Sequence, residues 1–136
     1  MAGWKHFRRQ AGSDGSVAIE YAIIIPVLLL LLLGIMDVSR LLWTYTTLHR
    51  GVEAAARCAS INVIKCGTTG AIQTYAAGEV WGLTVAPSAF TVSYPACGVQ
   101  VRTIYNFRFV IPWYYVASPF GAQNSISIEA TACYVT

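Results

Sequence analysis

Gly15-Ser16-Val17-Ala18-Ile19-Glu20-Tyr21 opens an apolar run that carries no charge from Tyr21 to Met36 and is closed by Asp37. With Ser16 to Ile19 and Val38 included, the stretch is about the length that crosses a hydrocarbon core at ~1.5 Å of rise per helical residue. A spanning helix is therefore expected over 16–38. Upstream, Lys5, Arg8 and Arg9 favour keeping that end in the cytoplasm, which sends everything past Asp37 to the far side of the membrane. A cleavable secretory signal fits less well. The run is long for an h-region, contains Pro26 and Gly34, and continues into Asp37, Arg40 and further helical periodicity where a small-residue cleavage site should stand.

Glu20 is the residue a plain anchor has no need of. A carboxylate deep in a bilayer costs roughly 2.5–3.5 kcal/mol on insertion scales and less near the edge, so it is expected to have a partner. The plainer reading is that Glu20 snorkels to the interface near the positive end of its own helix. Gly15, with no side chain, would let an extended backbone enter a narrow protease groove; equally, Ser13-Asp14-Gly15-Ser16 is good turn and cap chemistry. Pro26 removes one backbone donor and weakens the bond to Ala22, so a bend or loosening of the helix is expected there. Asp37 and Arg40, three apart on a helix, are placed to pair near the outer interface.

Past the span, Leu41, Leu42, Tyr45, Leu48, Val52, Ala55, Ala56 and Ala59 recur at spacings of three and four, with Arg40, Arg50, Glu53 and Arg57 mostly between them. One helix is expected from near Ser16 to about Ser60, roughly 65 Å long, more than a bilayer requires. Its surplus reads as an amphipathic stalk whose stripe must meet its own head or a neighbouring subunit. Trp43 and Tyr45 fall just past Asp37, where interfacial aromatics commonly sit. After the turn cluster Gly67-Thr68-Thr69-Gly70, a short helix is expected from Ala71 to Val80.

Three strand-like runs follow. Phe90 to Tyr94 is short. Val99 to Ile111 sets Val99, Val101, Tyr105, Phe107 and Phe109 against Gln100, Arg102, Asn106 and Arg108. Ser125 to Val135 sets Ile126, Ile128, Ala130 and Ala132 against Ser127, Glu129 and Thr131. These fit an antiparallel sheet with one wet face. The loop between the last two runs carries Trp113, Tyr114, Tyr115 and Phe120, which either cap the sheet or form a partner-binding patch. The fold class expected is α+β, divided into a basic leader (1–15), a transmembrane segment (16–38), a helical stalk (39–60) and a small head (61–136).

Cys58, Cys66, Cys97 and Cys133 all lie on the expected outer side, where disulfides persist and where so small a domain needs staples. Three pairings are open to four cysteines. Cys58 with Cys66 is the local choice, and Cys97 with Cys133 would tie two strands of the later half. No C-x-x-C occurs, and His6 and His49 stand in the leader and near the membrane, so a zinc site is disfavoured and no metal or cofactor is expected. Lys5, Arg8, Arg9 and Asp14 supply +2 of the net +3, leaving +1, so no nucleic-acid surface is implied. With no nucleophile–base constellation and no phosphate-cradling loop, neither catalysis nor a small-molecule substrate is expected.

A long N-terminal helix followed by a small disulfide-bearing α+β head is a pilin-like layout. The chain resembles the TadE-like minor pilins or pseudopilins of bacterial tight-adherence (Flp-type) pilus systems. The matching residues are Arg8-Arg9-Gln10, Gly15-Ser16-Val17-Ala18-Ile19-Glu20-Tyr21, Pro26, and Gly34-Ile35-Met36-Asp37-Val38-Ser39-Arg40-Leu41. The resemblance is specific from about Arg8 to Ala59 and architectural beyond. It implies cleavage between Gly15 and Ser16 by a prepilin peptidase, with assembly contacts at Glu20 and Tyr21. The new amine of Ser16, positive or partly so at neutral pH, would pair with Glu20 of a displaced neighbour. The partners implied are the peptidase, other pilin or pseudopilin subunits and the inner-membrane pilus platform. The place implied is the bacterial inner membrane, N-terminus cytoplasmic and head periplasmic, or the pilus itself. The alternatives are an uncleaved single-span scaffold and a membrane-tethered binding module.

Overall fold

The computed structural model describes residues 14–110 and 125–135. Helix α1 runs from Asp14 to Ile61, 48 residues, and remains unbroken through Pro26. It ends where Asn62 leaves helical geometry and accepts from the Lys65 amide at 3.0 Å, capping the four-residue helix α2 (Val63–Cys66). Thr68 likewise accepts from the Ala71 amide at 3.3 Å and starts helix α3 (Thr69–Glu79). That cap explains why α3 begins two residues before the expected Ala71. A single 3₁₀ turn at Pro87–Ala89 leads into strand β1 (Phe90–Ser93), followed by β2 (Val99–Arg108) and β3 (Ser125–Tyr134).

The chain divides into two compact units, Met1–Met36 and Asp37–Thr136. In the first, the described part of α1 is an apolar rod whose large side chains face outward, Leu28 to Leu32 being about half exposed. A window of mean hydropathy 2.6 with 11 % of its residues buried makes α1 long and apolar enough to cross a membrane. A side-chain surface of this kind is disfavoured in water and favoured in hydrocarbon.

The second unit is a three-stranded antiparallel sheet in the order β1-β2-β3, with helices on one face. Phe90 stands opposite Thr103, and Val99 to Arg108 run opposite Tyr134 to Ser125. Alternation works as expected along β2, where Val99, Val101 and Phe107 turn inward while Arg102, Asn106 and Arg108 face water; on β3 Ile128 and Ala130 turn inward, but Ile126, expected on the same face, is 40 % exposed, standing opposite Phe107 near the end of the sheet. Thr103 also faces in, its hydroxyl donating to the Ala89 carbonyl at 3.1 Å. Onto these side chains pack Leu48, Val52, Ala55 and Ala56 of α1, Ile72 and Ala76 of α3, and Val80 just past its end. Residues 41–59 thus belong to the same compact unit as the sheet, and their stripe is covered by the chain itself.

The stripe departs from expectation at two positions. Leu42 and Tyr45 are 58 % and 48 % exposed, and Thr44, Thr47 and Gly51 are buried in their place. Positions 37, 41, 44, 48, 52, 55 and 59 follow one helical line, and Leu42 and Tyr45 stand about 100° round from it. Thr44 tolerates burial because its hydroxyl donates to the Arg40 carbonyl at 2.8 Å. Gly51 is required by the close approach of α3: a Cβ there would lie 2.6 Å from Cγ1 of Val80.

Candidate functional site

At the junction, Gly15 is the second residue of α1, in helical backbone and exposed. A Cβ at Gly15 would meet nothing within 4 Å, and only Gly82 and Gly98 take positive φ among the described glycines. The turn reading of Gly15 therefore finds no support. Among the described residues nothing requires a glycine at this position.

Ser16 and Glu20 stand four residues apart in α1. Glu20 is exposed, flanked by Ile19 and Tyr21 at 64 % and 60 % exposure, and makes no ion pair among the described residues. The chain thus supplies no partner for this carboxylate from the described residues. Tyr21, the next residue, is likewise exposed.

Asp37 is the opposite case. It is 1 % exposed, although it opens the second unit as a charged residue beside an apolar run. Arg40 donates to its Oδ1 at 3.1 Å, and the Val110 backbone amide donates to both carboxylate oxygens at 3.1 Å. The i,i+3 pair is the one the sequence suggests. The tie to Val110, 73 residues away, was not legible, because nothing in the local sequence marks a backbone amide as needing an acceptor. It catches the chain just past the end of β2, which stops at Arg108 instead of running to Ile111. Arg40 also lies over the Phe107 ring, 5.4 Å from its centroid, so one guanidinium joins the helix to the last turn of the strand.

The disulfides join Cys58 to Cys66 and Cys97 to Cys133. The first closes the corner between α1 and α2; the second pins the segment before β2 to the end of β3. Beside the second, Gly98 takes φ +115°, a conformation where any side chain would run into the Tyr134 carbonyl. Near the first, Lys65 sits 4.6 Å from the Tyr75 ring centroid. Burial, followed by the hydrogen bond to Glu79 and that carboxylate's charge, pushes the Tyr75 hydroxyl above its ordinary pKa.

Trp113, Tyr114, Tyr115 and Phe120 lie outside the described residues, as does most of the basic leader. Among the described residues no cluster of His, Cys, Asp or Glu is placed to hold a metal ion.

Compared with known protein families, residues 15–57 match the family described as TadE-like protein. The match begins at the junction glycine, takes in Glu20, Pro26, Asp37 and Arg40, and stops one residue before the first cysteine. No curated protein and no solved structure matches the chain.

Proposed function

We propose that this chain, TadE-like over residues 15–57, is a minor pilin or pseudopilin of a tight-adherence pilus, cut after Gly15 by a prepilin peptidase. The observation that carries the reading is that the matched segment opens on a glycine that no contact among the described residues requires. A glycine that fills no tight space among the described residues is explained by a second molecule that must read it, and a protease binding an extended backbone is such a molecule.

Cutting there removes the basic leader and leaves a helix beginning at Ser16. The new amine and the Glu20 carboxylate carry opposite charges at the mouth of an apolar segment. Pairing between one subunit's amine and the next subunit's Glu20 would cancel two charges that are each expensive in hydrocarbon and would fix the axial stagger of the helices. The exposed, unpaired state of Glu20 among the described residues supports this. The chain on this reading is a single-pass inner-membrane protein with the head in the periplasm, and its one relation to an enzyme is as the peptidase's substrate. The disulfides fit that side of the membrane.

The test is intact mass and N-terminal analysis of the protein purified from membranes of a host carrying the cognate peptidase. A mature N-terminus at Ser16, lost when the peptidase is deleted, is expected. A chain that keeps its leader with the peptidase present would instead make it a fixed membrane scaffold of the pilus machinery.

A further inference from the structure

Within the Asp37–Thr136 unit the sheet covers one side of α1 and leaves the other side exposed. Arg50, Glu53 and Arg57 stand on that open side. At about 3.6 residues per turn they fall within about 60° of arc, nearly opposite the line of Leu48, Val52 and Ala55 that packs into the core. Their spacings, three and four, are those at which a helix can pair its own charges. Neither pair closes: none of the three makes an ion pair among the described residues. One turn earlier on the same arc, the Thr46 hydroxyl donates to the Leu42 and Trp43 carbonyls at 3.0 and 3.1 Å, so its polar group is already satisfied within the helix.

The three charges read plus, minus, plus along α1, and that order selects a register for a second copy lying alongside in the same direction. In register, Arg50 meets Arg50, Glu53 meets Glu53 and Arg57 meets Arg57, which gives three like pairs. A two-turn offset of seven residues sets Arg50 against Arg57 and leaves Glu53 opposite uncharged Ser60. One turn is different. An offset of three to four residues, about 5.4 Å, sets Arg50 of one copy against Glu53 of the next and Glu53 of the first against Arg57 of the next, two opposite pairs and no like pair. A third copy can repeat the step, so the contact is heterologous and extends instead of closing.

We infer that this charged face of α1 is a contact between parallel copies of the chain, staggered by one helical turn, with Arg50–Glu53 and Glu53–Arg57 as the pairs that set the stagger. The occupant is a second copy because the pattern complements itself, which a partner of different sequence does not require. The inference rests on the pilin reading in one respect: copies held by one membrane run in the same direction, and only parallel registers are then open to them.

The experiment expresses two differently tagged full chains together in a host carrying the cognate peptidase and measures how much of one is recovered with the other from a mild-detergent extract of its membranes. Glu53→Arg in both chains makes all three positions positive and should lower co-recovery about tenfold, the scale of two exposed pairs turned into like charges. Inverting the pattern in both chains, with Arg50→Glu, Glu53→Arg and Arg57→Glu, keeps it self-complementary and should return recovery to that of the unaltered pair. One inverted chain beside one unaltered chain should recover as poorly as the Glu53→Arg pair; recovery above that of the unaltered pair would mean an in-register contact and overturn the stagger. Unaltered chains that do not co-purify, a pair indifferent to Glu53→Arg, or an inverted pair that stays low each overturn the inference. Circular dichroism of the purified variants should match that of the unaltered chain, so that recovery reads contact and not folding. The N-terminus of the same preparations separates the two levels. A retained leader defeats the pilin reading, whereas a mature N-terminus at Ser16 with co-recovery indifferent to charge defeats the helix contact alone.

Discussion

Replacing Asp37 with alanine tests the tie that holds the end of β2 to α1. The carboxylate is 1 % exposed and accepts from Val110 and Arg40, all at 3.1 Å. A hydrogen bond to a charged acceptor is worth about 1.5–3 kcal/mol when its partner is left without a substitute. The Arg40 guanidinium is half exposed, so its pairing adds at most about 1 kcal/mol. Alanine returns about 0.5 kcal/mol of helix propensity. The net loss is about 2–3 kcal/mol, and in a domain of this size each kcal/mol moves the midpoint by about 4–8 °C. Asp37→Asn keeps an acceptor for the Val110 amide and loses only the charge, so it should cost about 1 kcal/mol. Thermal melting of the full chain in detergent, followed by near-UV circular dichroism, reads both values. If Asp37→Ala melts within a degree or two of the unaltered protein, or Asp37→Asn is as damaging as Asp37→Ala, the Val110 tie is not what holds that strand end.

Further outcomes follow from the same contacts. Gly51→Ala should destabilise by about 1 kcal/mol despite gaining helix propensity, because its methyl meets buried Val80, while Gly78→Ala, with open space around it, should stabilise by up to about 1 kcal/mol; paired denaturation curves compare them. Replacing Cys97 and Cys133 together should cost about 4 kcal/mol and Cys58 with Cys66 about 2.5 kcal/mol, since they close loops of separation 36 and 8, and the reverse order in melting would defeat the chain-entropy account. A raised Tyr75 pKa favours the neutral phenol in the folded state, so its stabilising share is intact below the ordinary tyrosine pKa and is lost as pH rises through the shifted one. Tyr75→Phe should therefore flatten the alkaline limb of a stability–pH curve and leave the neutral region unchanged.

The parts of this molecule that were legible in the sequence are those governed by short-range pattern. A charge-free run announces a helix that can span, and strict alternation in 99–109 sorts Val101 and Phe107 from Arg102 and Arg108 before any partner strand is known. The expected disulfide pairs are those observed, the first because eight residues separate its cysteines. What could not be read depends on which long-range neighbour arrives. Hydropathy ranks Leu42 and Tyr45 above Thr44 and Thr47, yet the head covers the threonine side, and Thr44 meets its burial cost with a backbone acceptor one turn away. The importance of Gly51 appears only once Val80 packs on it.

Gly15 and Glu20 were legible for the opposite reason. Each is conspicuous because it stands out from its surroundings, a glycine at the mouth of a long helix and an acid beside an apolar run. Folding supplies a reason for Asp37, which is also an acid beside apolar sequence but is buried and bonded within the chain. No such reason appears among the described residues for Gly15 or Glu20. This contrast makes a paired substitution informative. Gly15→Ala should leave the melting curve unchanged, and Glu20→Gln should leave the isolated subunit equally stable. If Gly15→Ala blocks removal of the leader while Glu20→Gln permits cleavage but prevents recovery in assembled fibres, the two residues act in successive steps on different molecules. Loss of stability in the isolated subunit from either substitution would instead place its role inside the fold, and the case for processing and pairing would lose its physical footing.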